Sequence, residues 1–391
     1  MLSRWLAIGL MAMSALVSAQ DDVAVQQTGE PFSEYRERLS DYFWTHKAWV
    51  DANNKTTEVA AVLPFEYQPD AERCATSDSV GLLLFHGLSD SPFTLRDPAK
   101  ALSEYCVHTR VMLLPGHGSK AEDLIDIERD SWRKAVAQAV KEFAGEVDQV
   151  YLGGFSTGGA LVTEYAWQHA DDIEGVVLFS PLFKINSGID WLAPWLAPFI
   201  DWLDHHPTDD YAKYASIPVP AIAQAYSLAK EVRQTVATST APLPVFIALS
   251  AEDATVDSEV TLEVYRQSMA VHSGSRLTLY STQASQADNS EYEVVNSVLP
   301  EQRIHGLSHI SVHGAPDNPY YGAQGSYRQC GWYLDDKAQY DACRHTPHNW
   351  FGERSAALTE RSNSAARLTW NPYFAELMQQ VATFMEVADV R

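Results

Sequence analysis

A serine stands where a short apolar stretch meets a glycine-rich one. Residues 150–159 read VYLGGFSTGG, which places Ser156 in the pattern G-x-S-x-G. When a strand turns sharply into a helix, the serine at the turn has a strained backbone and its hydroxyl projects from the sheet edge. Glycines such as Gly154 and Gly158 are needed there, because a Cβ would collide across the turn. The pattern predicts a nucleophile at Ser156; the alternative is an ordinary serine in a glycine-rich turn.

The segments around Ser156 alternate between strands and helices. Residues 79–85 form a nearly continuous apolar run, which is typical of a parallel strand buried on both faces. Further strands are predicted at 109–114 and 173–179, and apolar residues at helical spacing predict a helix over 131–144. Strand alternating with helix indicates an α/β fold with a mostly parallel, doubly wound sheet and right-handed crossovers.

The loop that follows the strand at 79–85 can take part in the same reaction as Ser156. Residues 86–92 read HGLSDSP, and such a loop can present a backbone N–H to a developing oxyanion. We expect the N–H groups of Leu88 and Thr157 to form this oxyanion hole. His86 is a candidate substrate contact, although a role in bracing the loop is favoured, and His117 has the same interpretation.

Three motifs carry a resemblance to a known family. They read LFHGL at residues 84–88, LPGHG at 114–118 and GFSTGG at 154–159. In this order they resemble the α/β-hydrolase superfamily, in particular its monoacylglycerol-lipase-like and carboxylesterase-like branch, over about residues 79–311. The resemblance implies the α/β-hydrolase fold with an inserted helical cap. It does not fix the substrate, because the fold hosts esterases, lipases, peptidases and dehalogenases.

The resemblance also places the acid of a catalytic triad in the turn after a later strand. Residues 244–250 form an apolar run that leads into AEDATVD. Asp253 fits the family position, within a pattern close to Asp-x-x-Val. Glu252 and Asp257 remain alternatives, as does an exposed acidic turn with no chemical role.

Three histidines compete for the role of the base within residues 304–313, which read IHGLSHISVH. His309 resembles the family pattern best, because a small residue precedes it and an apolar one follows. His305 is the alternative. His309 and His313 are also four residues apart, which fits a metal site, but the signal is weak without a nearby carboxylate or cysteine pair. We therefore expect no metal.

These groups together predict nucleophilic acyl transfer. His309 would take the proton of Ser156 as the serine attacks a carbonyl and return it to the leaving group, while Asp253 would hold the imidazole. Water completes turnover, so no cofactor is required. The expected function is a serine hydrolase of carboxylic esters, either acylglycerols or short to medium acyl esters.

Two other functions remain open. One is a peptidase or amidase with the same triad, such as a proline-type aminopeptidase, which would need a carboxylate cluster for the substrate's free amine. The sequence does not locate such a cluster. The other is a non-catalytic binding protein on the same fold, which is disfavoured because no member of the triad is missing.

The segment most able to decide the substrate is the predicted cap or lid at 183–240, which lies between two sheet strands. Trp191, Trp195 and Phe199 recur there at helical spacing and predict an aromatic face, although prolines within the stretch argue against one smooth helix. One interpretation is that this face packs the cap onto the core. The other is that it lines an acyl pocket or makes transient contact with lipid.

The first residues predict export. Residues 1–19 contain Arg4, an apolar stretch and Val-Ser-Ala before Gln20. This is typical of a secretory signal peptide and is too short for a spanning helix; an uncleaved anchor is the alternative. No other stretch of the sequence is long and apolar enough to be a membrane segment. A periplasmic or secreted protein is expected.

The cysteines agree with export, because an even number in an exported chain suggests disulfides. Four cysteines allow three pairings. The most economical joins Cys330 to Cys343, which closes a short loop, and Cys74 to Cys106, which joins segments that flank one strand–helix unit.

Length and charge limit the remaining possibilities. The 391 residues suit one large domain with an extension at 20–60, a core at 61–182 and 241–391, and the cap. Residues 313–368 exceed what the family pattern requires and predict an excursion from the core on the active-site side. The formal net charge of −23 argues against nucleic acid or anionic membranes as partners and leaves a small-molecule ester as the expected one.

Overall fold

The computed structural model describes residues 23–74, 79–284, 291–355, 357–358 and 364–387. The signal peptide expected at residues 1–19 lies outside these described residues. Within the described ranges, no helix is both long and apolar enough to cross a membrane.

An eight-stranded sheet forms the centre of the fold. Its strands are Phe65–Tyr67 (β1), Val80–Phe85 (β2), Val107–Met112 (β3), Gln149–Phe155 (β4), Gly175–Phe179 (β5), Val245–Ser250 (β6), Arg276–Ser281 (β7) and Glu293–Asn296 (β8). Their order is β1-β3-β2-β4-β5-β6-β7-β8, with β1 antiparallel to β3 and every other neighbouring pair parallel. The prediction of a mostly parallel, doubly wound α/β sheet is confirmed.

Helices cover this sheet. They are Phe32–His46 (α1), Lys55–Val62 (α2), Arg96–Ser103 (α3), Arg129–Phe143 (α4), Thr157–Gln168 (α5), Ala193–Leu196 (α6), Val219–Ala237 (α7), Ser258–Val264 (α8), Lys337–His345 (α9) and Phe374–Phe384 (α10).

Side chains alternate along the central strands, so the sheet presents an apolar surface on each face. Along β2, Leu83 and Phe85 pack in a core with α4, α5 and α7. Leu82 and Leu84 pack in a second core with α3 and α10. Burial on both faces explains why the central strands are continuous apolar runs in the sequence.

The carboxyl ends of β2, β4 and β5 lie side by side. The register pairs Phe85 with Gly154 and Phe155 with Phe179. The residues that follow these parallel strands therefore meet at one edge of the sheet, where open α/β sheets carry their sites. That edge receives both the loop at 86–92 and Ser156.

A second, smaller sheet connects the excursion to the candidate base. Its strands are Val298–Leu299 (β9), Ile304–His305 (β10), Trp350–Gly352 (β11) and Ala365–Arg367 (β12), in the order β12-β11-β10-β9. β10 leads into the loop that carries His309, whereas β11 and β12 belong to the excursion at 313–368. The excursion is thus paired directly with the chain that leads to His309.

The remaining segments pack on the same framework. In α1, within the extension at 20–60, Tyr35 and Leu39 are fully buried in the first core, and α7, within the segment at 183–240, buries Leu228 and Val232 there. The two disulfides are Cys74–Cys106 and Cys330–Cys343, which is the pairing that the sequence favoured.

Candidate active site

Ser156 occupies the turn between β4 and α5. Its backbone has φ 53° and ψ −115°, a conformation that residues other than glycine rarely adopt. Two hydrogen bonds fix it: the Ser156 N–H donates to the Phe179 carbonyl (3.1 Å), and the Leu182 N–H donates to the Ser156 carbonyl (2.9 Å). The strained turn expected from G-x-S-x-G is therefore present, with Ser156 at its apex.

Two glycines leave the space that this turn needs. A Cβ on Gly158 would overlap the carbonyl oxygen of Phe85, and a Cβ on Gly154 would overlap the carbonyl group of Gly158. Both obstacles are backbone atoms, which cannot rotate away as the end of a side chain can. The turn therefore requires glycine at both positions, because the backbone atoms around them leave no room for a Cβ.

The candidate acid and base form a buried pair. His309 Nδ1 lies 2.6 Å from Asp253 Oδ2, and the other carboxylate oxygen accepts the N–H groups of Thr255 (2.8 Å) and Val256 (2.9 Å). Because Nδ1 faces a carboxylate, it carries the ring proton, and Nε2 keeps the lone pair that a general base uses.

His309 also lies beside the nucleophile turn. Its ring packs against that of Phe155, the residue before Ser156, with 4.7 Å between ring centroids. The hydroxyl of Ser180, directly after β5, donates to the His309 carbonyl (3.3 Å). The structure thus brings Ser156, His309 and Asp253 to the same edge of the sheet.

The alternative acids have other partners. Glu252 accepts the N–H (2.9 Å) and the hydroxyl (2.7 Å) of Thr282. Asp257 accepts the Val260 N–H at the start of α8 (3.1 Å) and pairs with Lys184 (2.8 Å). Both carboxylates are therefore engaged in holding local structure.

The alternative histidines also lie elsewhere. His305 is in β10. His313 is buried against Phe155, with 4.3 Å between ring centroids, and its Nε2 is 3.2 Å from the Thr94 hydroxyl. Burial lowers the pKa of His313 to about 3, so its ring is neutral and packs behind the nucleophile turn.

The candidate oxyanion donors lie next to Ser156. A Cβ on Gly87 would be only 3.1 Å from the Cβ of Ser156, so the residue before Leu88 touches the nucleophile. Among the described residues, the Leu88 N–H has no acceptor. Thr157 begins α5, where an N–H has no partner within the helix. Both groups are free to bind a developing negative charge.

Two buried histidines hold this loop from behind. The Leu114 N–H donates to His86 Nε2 (3.1 Å), and His86 Nδ1 donates to the Gly87 carbonyl (2.9 Å). The Ser89 N–H donates to His117 Nε2 (3.2 Å). Burial lowers the pKa of both imidazoles, that of His117 to about 4, so both rings are neutral acceptors at neutral pH.

The expectation of a substrate contact at His86 is therefore wrong. The residue is fully buried, and both of its ring nitrogens are bonded to backbone groups. These bonds agree with the interpretation that the sequence favoured, in which His86 braces the loop.

The aromatic residues of the predicted cap are exposed. Trp191, Trp195 and Phe199 expose 53%, 73% and 85% of their surface. The packing of this face onto the core is thus wrong for these three residues, whereas its lining of an acyl pocket stays a prediction. Asp190–Leu192 and α6 are short consecutive helical turns, and Pro198 follows them, so the three rings lie on short exposed turns and not on one long helix packed on the core.

Two residues that contact or support the segment of His309, the candidate base, were not identified from the sequence. The His309 N–H donates to Glu353 Oε2 (3.3 Å), and Arg367 pairs with the same oxygen (2.7 Å). Arg367 also donates to the Thr255 hydroxyl (2.8 Å), in the turn that holds Asp253. Both residues come from the excursion, and no spacing in the sequence connects them to the triad.

The excursion also binds the segment that precedes α7. The hydroxyls of Tyr320 and Tyr321 donate to Asp210 (3.2 and 2.6 Å), and that of Tyr327 donates to Asp209 (2.9 Å). We call these five residues the tyrosine clamp. Through it, the excursion holds the predicted cap segment across the loop that begins at His86.

Known proteins resemble the part of the chain that forms the central sheet. The family described as serine aminopeptidase S33 matches residues 79–282, a little over half of the chain. A thermostable monoacylglycerol lipase of Bacillus sp. (strain H-257) is 29% identical over 116 residues, which are 30% of this chain and 44% of that lipase. The chain therefore matches less than half of the length of this relative.

Solved structures give a similar result. A metagenome-derived lipolytic enzyme, from work on LipS and LipT, shares 18% identity, covers 60% of this chain and 87% of its own, and has a TM-score of 0.48. A monoglyceride lipase from Saccharomyces cerevisiae shares 17% identity, with coverage of 56% and 82% and a TM-score of 0.45.

Proposed function

The chain belongs to the α/β-hydrolase family described as serine aminopeptidase S33, and on this premise we propose that it is an exported serine hydrolase of carboxylic esters. Its triad consists of Ser156, His309 and Asp253. The observation that carries the proposal is the 2.6 Å hydrogen bond between His309 and Asp253 beside the strained turn at Ser156. The same set of groups performs acyl transfer on unrelated folds, because its geometry and not its fold supplies the chemistry.

Acylation begins when His309 Nε2 removes the hydroxyl proton of Ser156 as Oγ attacks the ester carbonyl. The oxyanion that forms accepts hydrogen bonds from Leu88 and Thr157, each of which contributes about 3 kcal/mol in well-studied cases. Asp253 stabilises the imidazolium. The protonated ring then donates its proton to the departing alcohol, which leaves the acyl group on Ser156.

Deacylation repeats these steps with water. His309 removes a proton from the water molecule that attacks the acyl carbonyl, and the same two N–H groups stabilise the second oxyanion. Collapse of this intermediate releases the carboxylic acid and returns the proton to Ser156 Oγ. Apart from this water molecule, the steps use only groups of the chain.

We assign acylglycerols or short to medium acyl esters as the substrate class. A relative of the chain is named as a monoacylglycerol lipase. The exposed rings of Trp191, Trp195 and Phe199 form an apolar surface suited to transient contact with aggregated lipid. Contact with neutral rather than anionic lipid is favoured by the net charge of −23.

Export to the periplasm or the medium completes the proposal. It rests on the pattern of residues 1–19 and on the two disulfides, which persist in oxidising compartments. N-terminal sequencing of the exported protein tests it, and Gln20 is the expected first residue.

Hydrolysis of p-nitrophenyl esters tests the chemistry. We expect wild-type protein to cleave acetate, butyrate and octanoate esters, and Ser156→Ala and His309→Ala to lower kcat by about 10⁴-fold or more. Ser273→Ala and His345→Ala change exposed residues of the same types and serve as matched controls. Full activity of Ser156→Ala would contradict the proposal.

The family description also favours a second candidate, an aminopeptidase with the same triad. The two are separated by comparing acyl esters with amino-acid p-nitroanilides under the same conditions. Cleavage of the anilides with loss in Ser156→Ala, and no cleavage of the esters, would select the aminopeptidase.

A further inference from the structure

One carboxylate beside the candidate active site lacks the partners that its burial requires. Asp90 is 5% exposed. Its Oδ1 lies 3.3 Å from Lys213 Nζ, whereas its Oδ2 has no hydrogen-bond partner among the described residues. A buried carboxylate oxygen without a donor is costly and therefore rare in folded proteins. Its presence calls for a donor that the folded chain does not itself supply.

A neighbouring carboxylate shows that the fold can satisfy such a group. Asp210 is equally buried, yet its oxygens accept the hydroxyls of Tyr320 and Tyr321 and the N–H of Ala212 (3.0 Å). Asp90 Oδ2 lacks the donors that Asp210 has, and among the described residues nearby the same is true of the buried atoms His313 Nδ1 and Thr157 Oγ1.

Asp90 lies next to both halves of the candidate catalytic centre. Its N–H donates to the Gly87 carbonyl (3.2 Å) and closes the turn that presents Leu88, and Gly87 touches Ser156. Asp90 and Lys213 line a cavity together with Ile310, the residue after His309. A group held at Asp90 therefore lies beside the loop that carries Leu88 and beside the segment that carries His309.

Several polar side chains line this cavity beside apolar ones such as Phe93 and Ile310. Besides Asp90 and Lys213, the polar side chains that line it include those of Asp97, Asp210, Asn318 and Gln329. The Lys213 ammonium has three N–H donors and a single acceptor at Asp90, so it retains donors for a substrate oxygen. The pair offers an open acceptor beside open donors, which does not suit an alkyl chain.

We propose that Asp90, supported by Lys213, binds a hydrogen-bond donor of the substrate, a hydroxyl or an ammonium group, and so selects esters with a polar end over plain alkyl esters. The inference rests on the proposed function, because Ser156 must still attack the ester. Asp90 is a binding residue, and no proton transfer is assigned to it.

Matched ester pairs test this selection. Glycerol 1-butyrate and propyl butyrate differ only in two hydroxyls, whereas L-alanine methyl ester and methyl propionate differ only in the ammonium group. We expect wild-type kcat/KM to favour the donor-bearing member of one pair by about 10- to 100-fold, as for a hydrogen bond to a charged group. In Asp90→Ala the ratio falls towards one, and in the exposed control Asp335→Asn it does not change.

Asp90→Asn identifies the donor. An amide oxygen still accepts a hydrogen bond but has no charge, so a preference for hydroxyls is kept in part. A preference for ammonium is lost almost completely.

Equal rates for both members of each pair in the wild-type protein overturn the inference, whatever the variants do. The inference is also overturned if Asp90→Ala lowers kcat/KM for both members of a pair by the same factor, because a purely structural role of Asp90 gives that result. Titration of Ser156 with a fluorophosphonate separates the two proposals. If the wild-type protein reacts with the fluorophosphonate but cleaves both members of each ester pair at equal rates, only this inference is overturned. If the wild-type protein does not react with the fluorophosphonate, the proposed function is overturned and the inference with it. Lys213→Met is a second variant if Asp90→Ala does not fold, and it too must lower the ratio.

Discussion

The nucleophile and the base of the candidate triad are held by different kinds of structure. Ser156 is fixed by backbone groups of neighbouring sheet strands and by two glycines whose missing Cβ atoms make room for the turn. His309 is fixed by side chains: Asp253 on one side, and on the other Glu353, which comes from the excursion.

The support of Ser156 comes from the central sheet, whereas part of the support of His309 comes from the excursion at 313–368. The turn at Ser156 follows from the sheet, so any substitution that the backbone cannot accept should remove the folded state. The support at His309 follows from added residues, so its loss should lower the rate and leave the sheet intact. Three predictions test this contrast.

Gly158→Ala should have the largest effect. The new Cβ would overlap the Phe85 carbonyl, which is backbone and cannot move aside, so we expect a loss of about 4 kcal/mol or more in the free energy of unfolding, or no folded protein. Thermal melting followed by circular dichroism measures it. Gly188→Ala is the matched control, since a Cβ there meets nothing within 4 Å. Equal melting temperatures for the two variants would refute the argument.

Glu353→Ala should lower the rate without unfolding the sheet. It removes the acceptor of the His309 N–H and the partner of Arg367, and we expect kcat to fall about 10-fold, as for one lost hydrogen bond that positions the base. Glu353→Gln keeps an acceptor oxygen and should recover most of this loss. If both variants lose the same activity, the carboxylate acts through its charge and not by holding the N–H.

Asp210→Asn should change stability by an amount that depends on pH. Burial raises the pKa of Asp210 from 3.8 to about 6, so the folded protein binds the proton more tightly than the unfolded chain. The contribution of Asp210 to stability is therefore present below about pH 4 and is lost as the pH rises towards 6. The free energy of unfolding of the wild type, relative to Asp210→Asn, should fall by on the order of 2 kcal/mol between pH 4 and pH 7.

Urea unfolding at the two pH values measures this difference, with Asp335→Asn as an exposed control. The loop at 86–92 should respond with the opposite sign, because burial lowers the pKa of His117 to about 4. Stability from the neutral ring is present above about pH 6.5 and is lost as the pH falls towards 4. A flat difference for Asp210→Asn would show that the tyrosine clamp holds its carboxylate charged at all pH values tested.

The sequence predicts the sheet well because its signals are local. The apolar run at 79–85 becomes β2, and G-x-S-x-G becomes the turn at Ser156. The position of Asp253 next to His309 required the family resemblance, since 56 residues separate them along the chain. The need for glycine at 154 and 158 also follows from the motif, because the tight turn that the motif predicts leaves no room for a Cβ.

Other features escape sequence reasoning for physical reasons. Glu353 reaches His309, and Arg367 reaches Glu353, through the pairing of short strands, which leave no periodic pattern. The exposure of Trp195 and Phe199 depends on what packs against them in the folded chain, which their helical spacing does not reveal. Asp90 stands in a recognisable motif, but only its burial reveals that one of its oxygens has no donor.

The order of the triad along the chain has a consequence for biosynthesis. Ser156 and Asp253 leave the ribosome before His309, and Glu353 follows later still. Until His309 is made, a nascent chain has the candidate nucleophile and acid but no candidate base. Under the proposed function, such a chain cannot cleave esters while it is being synthesised, so the cell's own lipids would not be exposed to an unfinished enzyme.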